Sequence, residues 1–106
     1  MLDEHEDQEK FLNRLRQDPE GVLAEEYNQY RDRLWRIVNF RLDRRLLGRV
    51  DADDILQEAY LDAATRIEHY LNDPATTFFI WLRTIIGQTL IDVHRRHLGA
   101  QKRDVR

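Results

Sequence analysis

The stretch that most constrains how this chain can fold is residues 51–70, DADDILQEAYLDAATRIEHY. No proline or glycine interrupts it. Asp51 stands where a helix N-cap would, and Asp53 and Asp54 put carboxylates in the first turn, where the helix dipole favours them. At about 100° per residue, Leu56, Ala59, Tyr60, Ala63, Ile67 and Tyr70 share one stripe, suited to packing on a core. On the opposite side Asp54, Gln57, Glu58 and Leu61 stack, because residues three and four apart are neighbours on a helix surface. Two carboxylates and an amide thus surround a leucine that ordinary patterning leaves in water. That face has two readings. It is a solvated surface with one isolated leucine, which is common, or a docking surface that selects a basic helix around a small apolar centre. Asp53, Asp54 and Glu58 are acids of the kind used in general acid–base chemistry. However, no nucleophile, His/Cys ligand pair or glycine-rich phosphate loop accompanies them, so no catalytic residue is assigned.

A chain of 106 residues holds one domain. Hydrophobic residues at 42% supply a modest core, and 35% charged residues imply slender helices with wet outer faces. With no cysteine there is neither disulfide nor thiolate chemistry, which fits a reducing compartment. No apolar run approaches the roughly 18 residues of a membrane span, and the N-terminus lacks a signal-peptide layout. A cytoplasmic protein with no membrane partner is the expectation. The net charge of −3 conceals a gradient: residues 1–26 carry nine acids and three bases, whereas residues 81–106 carry six bases and two acids. An anionic partner near the C-terminal end would explain the basic pole, and a solvated tail would explain it equally simply.

The rest of the chain is helical in pattern. Phe11, Leu12 and Leu15 are spaced for a short helix within the acidic segment 1–17. Asp18-Pro19 reads as an N-cap followed by proline at the first helical position. Leu23, Tyr27, Tyr30, Leu34, Ile37, Val38 and Leu42 then recur at helical spacing, with arginines on the outer face and Gly48 placed to end the element or a turn after it. The connection to Asp51 is tight, so the two helices pack antiparallel. Asp73-Pro74 repeats the cap-then-proline signal and predicts the start of a last helix, running to about His97. The fold class is therefore all-α: a compact bundle of three main helices, about 20–45, 51–71 and 74–97, plus the N-terminal one.

The last helix carries two faces. Phe78, Leu82, Ile85, Ile86, Thr89 and Val93 form a core stripe. The other side holds Ile80, Arg83, Thr84, Gly87, Gln88, Ile91, His94 and Arg95. Isoleucines among arginines are unusual for a solvated face, and a mid-helix glycine costs about 1 kcal/mol relative to alanine while letting a ligand come close. Basic, amide and apolar groups together suit a nucleic acid strand; a minor packing face for the N-terminal segment is the other reading. His94 and His97 lack a carboxylate or cysteine to complete a metal site, so neither metal nor cofactor is expected.

Three pieces of this pattern also resemble a known family. Residues 53–61, DDILQEAYL, resemble the D-D-apolar-apolar-Q-E run of region 2 of bacterial sigma-70 family sigma factors. FFIWLR at 78–83 and IDVHRR at 91–96 resemble that family's F-x-x-W-L and I-D-x-x-R-R segments, and the match, over about residues 20–103, is closest to the extracytoplasmic-function group. The resemblance implies a polymerase-binding face made of Asp53, Asp54, Gln57, Glu58 and Leu61, gripping the clamp coiled coil of the RNA polymerase β′ subunit. It further implies that the last helix and the connection before it recognise and melt the promoter −10 element on the non-template strand. Tyr70 and Gln88 would take a flipped base; Arg83, Arg95, Arg96, Lys102 and Arg103 would meet phosphates, with Ile80, Gly87 and Ile91 beside them. Gln88 stands at the usual asparagine position and Ile80 where housekeeping members carry a further tryptophan. An anti-sigma factor is a further partner the resemblance allows. In that frame residues 18–98 form the region-2-like unit, 99–106 a basic tail, and the second, −35-reading domain (region 4) is absent. Residues 1–17 suggest an acidic screen over the DNA face. The competing reading is an all-α interaction module that binds a regulator through the Asp54/Glu58 face and has no DNA role.

Overall fold

The computed structural model describes residues 4–99, with side chains from residue 7 onward. Four helices follow in order: α1 (Glu4–Gln17), α2 (Pro19–Arg41), α3 (Ala52–Asn72) and α4 (Phe78–His94). A 3-10 turn at Arg44–Leu46 joins α2 to α3, and a π-type turn at Arg95–Gly99 prolongs α4. All elements among the described residues are helical, and none is long and apolar enough to cross a membrane.

Each start has a local cause. Asp18 caps α2, its side chain accepting the Gly21 N–H at 3.1 Å, with Pro19 in the first turn as the sequence predicts. Gly21 leaves room for that carboxylate: a Cβ there would lie 2.1 Å from Asp18 Oδ2. At the head of α3 a capping box forms. The Asp54 N–H donates to Asp51 Oδ1 at 2.9 Å, and the Asp51 N–H donates to Asp54 Oδ2 at 3.1 Å. Gly48, at φ +89°, closes the turn before α3 in a conformation that favours glycine.

Two boundaries differ from expectation. α2 stops at Arg41, short of residue 45: Leu42 turns extended, Asp43 caps the 3-10 turn by accepting the Arg45 N–H, and both Leu42 and Leu46 are buried. The second correction concerns Asp73-Pro74, which does not start α4. Asp73 instead ends α3, its N–H donating to the Tyr70 carbonyl at 3.2 Å, and Thr77 caps α4. In the connection the Tyr70 hydroxyl donates to the Thr76 carbonyl at 2.7 Å, and the Ile80 N–H goes to Thr77 Oγ1 at 3.4 Å.

The core follows the predicted stripes. Leu23, Tyr27, Leu34 and Val38 of α2 meet Leu56, Ala59, Ala63 and Ile67 of α3 and Leu82, Ile86 and Val93 of α4. The Arg31–Asp53 ion pair (2.7 Å) and the Tyr27–Tyr60 ring contact (5.0 Å) fix α2 and α3 antiparallel. The Tyr27 hydroxyl also donates to the Leu56 carbonyl; burial pushes its pKa upward, so it stays a donor. α1 is a full helix of 14 residues whose Leu12 and Leu15 are buried in the same core. Phe11 reaches Phe78 at 5.1 Å, and Phe78 in turn packs on Tyr70 and Trp81. This aromatic cluster links α1, α3 and the start of α4.

Candidate binding faces

The outward side of α3 is a ridge between open grooves. Glu58 and Leu61 border both a groove of about 420 Å³ shared with the end of α4 and one of about 370 Å³ towards Asp62 and Asp92. Leu61 is 60% exposed, as the helical projection requires, with Gln57 beside it. The three acids of this face are not idle. Asp53 pairs with Arg31 of α2, Asp54 holds the capping box, and Glu58 accepts from Arg96 at 2.8 and 3.0 Å. The ridge therefore offers an acidic surface whose carboxylates already have partners within the molecule. An apolar side chain at its centre completes what a basic helix would need.

The outward side of α4 is built differently. Ile80 and Ile91 are half exposed at 50% and 48%, and Arg83, Gln88 and Arg95 lie exposed around them. The spacing 80, 84, 87/88, 91, 95 lays these residues along one side of the helix. Gly87 sits in their midst with nothing within 4 Å of where its Cβ would be. No neighbour inside the described residues requires a glycine there, so its cost to the helix is not offset by internal packing. Among the described residues α1 leaves this face exposed, and Phe11 meets α4 at Phe78, its first residue.

The structure separates some residues that the sequence grouped. Tyr70 is 3% exposed, its hydroxyl bound to Thr76 and its ring against Phe78 and Trp81, so its faces are not offered to a base. Gln88 lies two turns, roughly 10 Å, further along α4 than Trp81, so Tyr70 and Gln88 are not brought together. Arg96 turns away from Arg95 towards α3, and Lys102 and Arg103 lie outside the described residues. His94 is also internal: its Nε2 accepts the Asp43 N–H at 3.2 Å and ties the end of α4 to the exit of α2. The described residues contain no cluster of three or more potential metal-ligating side chains. Sequence reasoning gave no site role to Trp81, the half-buried aromatic beside the α3–α4 connection, although it is the tryptophan of the F-x-x-W-L run. It also missed Arg33, which lies 4.3 Å over the Phe79 ring.

The family profile for Sigma-70 region 2 matches residues 27–99, spanning both faces. The chain belongs to this family. Region 2 is a transcription-factor domain and not an enzyme family, with a role in RNA polymerase binding and promoter recognition. No curated protein and no solved structure gave a match. The sigma region 2 match begins within α2, so α1 precedes the matched residues while sharing their core.

Proposed function

We propose that this sigma region 2 chain uses its two outward faces for two partners at once. The α3 ridge of Asp53, Asp54, Gln57, Glu58 and Leu61 docks on the β′ clamp coiled coil of RNA polymerase. The α4 face of Ile80, Arg83, Gly87, Gln88, Ile91 and Arg95 takes the non-template strand of the −10 element. The extracytoplasmic-function group is the subgroup its motifs support, residues 18–98 are the working unit, and the cytoplasm is where both partners would be met. An anti-sigma factor would act by occupying the α3 ridge.

The observation that carries this reading is Gly87, a helix-interior glycine facing open space between exposed isoleucines and arginines. Protein stability is worse for it, and close approach by an outside strand is the compensating gain. Tyr70 contributes by position and not by stacking: its hydroxyl holds the Thr76 carbonyl in the connection before α4. Two binding measurements test the proposal, one with the isolated β′ clamp coiled coil and one with a forked −10 DNA carrying a single-stranded non-template arm. The Gln57→Ala/Leu61→Ala variant should lose the first partner and keep the second. Binding of neither partner by the folded wild type would leave the family's fold with a regulator-binding role.

A further inference from the structure

On the outer side of α2, Phe40 is 90% exposed, the most open large apolar side chain among the described residues. A lone exposed aromatic is ordinary on a protein surface. This one is framed by cations. Arg33, Arg36 and Phe40 stand at i, i+3 and i+7 and so share one stripe of the helix. Both arginines are exposed, and neither makes an ion pair among the described residues. From Arg33 to Arg41 the helix carries no acid.

The stripe runs beside α4. At one end Tyr30 meets Phe79 ring to ring at 4.9 Å, and the Arg33 guanidinium lies 4.3 Å over the same Phe79 ring. At the other end the Asp43 N–H donates to His94 Nε2 at 3.2 Å. Both contacts join like ends, so α2 and α4 run parallel and side by side for about 20 Å. Arg83, the first arginine of the outward α4 face, follows Phe79 by one helical turn. Arg33 thus bridges that face to Arg36 and Phe40.

We propose that this stripe is a second track for the unpaired strand. Arg36 meets a phosphate, and the Phe40 ring stacks on a base that has left the α4 face. The unpaired arginines call for an anion, and a ring this open offers a π-face that any base can cover. A base inside a duplex has no free face to give it, so the occupant is single-stranded. Stacking of this kind tolerates any sequence, so the track adds affinity without changing which sequence is read. The inference rests on the strand-binding reading of α4 and lengthens the strand that the domain holds.

The test measures affinity of the 106-residue chain for a single-stranded −10 oligonucleotide, alone and lengthened by thymidines at its 5′ or its 3′ end. The extension is about six nucleotides, since about 20 Å of stacked strand holds that many at ~3.4 Å each. The wild type should bind one of the lengthened strands about five- to ten-fold more tightly than the short one. Phe40→Ala should abolish most of that gain and leave the short strand unaffected. Phe40→Trp should keep the gain and Phe40→Leu should lose it, which separates stacking from apolar contact. Arg36→Gln should lower the log–log salt slope of the longer strand by about 0.7 and leave that of the short strand as it was. Arg83→Gln should weaken both strands alike. Thermal melts of each variant establish that these exposed substitutions leave the fold intact. No gain from either extension, or a gain that persists in Phe40→Ala, overturns the inference while the α4 reading stands. Loss of β′ clamp coiled-coil binding in Phe40→Ala, with both strands bound as before, assigns the stripe to a protein and overturns it equally. Failure of the wild type to bind the short strand sinks the α4 reading and the inference together.

Discussion

The outward faces of α3 and α4 hold similar numbers of charged and apolar side chains, yet they are organised in opposite ways. On α3 the three ridge acids are engaged: Asp53 by Arg31, Asp54 by the Asp51 backbone, Glu58 by Arg96. On α4, Ile80, Ile91 and the arginines 83 and 95 surround a glycine that no neighbour needs. On the first face the carboxylates are already partnered within the fold, by exposed pairs that a cationic partner can join or displace at little cost. The second leaves open space at Gly87 between exposed side chains. A folded helical partner suits the former, and a flexible strand suits the latter.

That contrast can be broken experimentally. The largest effect is expected on the α3 ridge, where Gln57→Ala/Leu61→Ala should weaken coiled-coil binding by about 2 kcal/mol, roughly thirty-fold, with an unchanged melting temperature. Equal affinity would remove the ridge from the interface. Next, Arg83→Gln/Arg95→Gln should weaken single-stranded DNA binding about ten-fold and reduce its log–log salt slope by about 1.4, a signature that lost packing alone cannot produce. Asp51→Ala removes a bond given to the capping box, and should cost about 1 kcal/mol in denaturant unfolding. Asp54→Ala would lose stability in the same way, which is why Gln57 and Leu61 are the cleaner probes of docking. Gly87→Ala should move two quantities in opposite directions: stability up by about 0.5–1 kcal/mol, DNA affinity down. A variant that gains stability and binds DNA as before would leave the α4 glycine unexplained. The smallest effect concerns Asp43, whose carboxyl is held at about pKa 2 chiefly by its side-chain hydrogen bond from Arg45. Because the folded value lies below the ordinary 3.8, its contribution is present above that pH and fades as pH falls towards about 2. Asp43→Asn should flatten that acid limb slightly, measured by unfolding across the range.

Two identical dipeptides show where sequence reasoning stops. Asp18-Pro19 and Asp73-Pro74 carry the same local signal for a helix start. At the first, the signal is obeyed, because Gly21 leaves space for the capping carboxylate. At the second, Asp73 closes α3 instead, Thr77 provides the cap, and the helix begins at Phe78. Arg95 and Arg96 teach the same lesson at the other end of α4. They are adjacent in sequence and equal in chemistry, yet one stays on the exposed face and the other is drawn to Glu58.

What the sequence determined by itself is everything set by periodicity and local caps. That covers four helices, their buried stripes, the Asp51 start of α3, and the exposed positions of Leu61, Ile80 and Ile91. Those features depend on neighbours within one helical turn, so a window of a few residues contains their cause. The tertiary structure alone decided that Tyr70 is buried, that α4 starts at Phe78, and that Arg96 faces Glu58. Tyr70 packs on Phe78 and Trp81 of α4 and Arg96 reaches Glu58 of α3, and helical spacing carries no record of which partner a side chain will find.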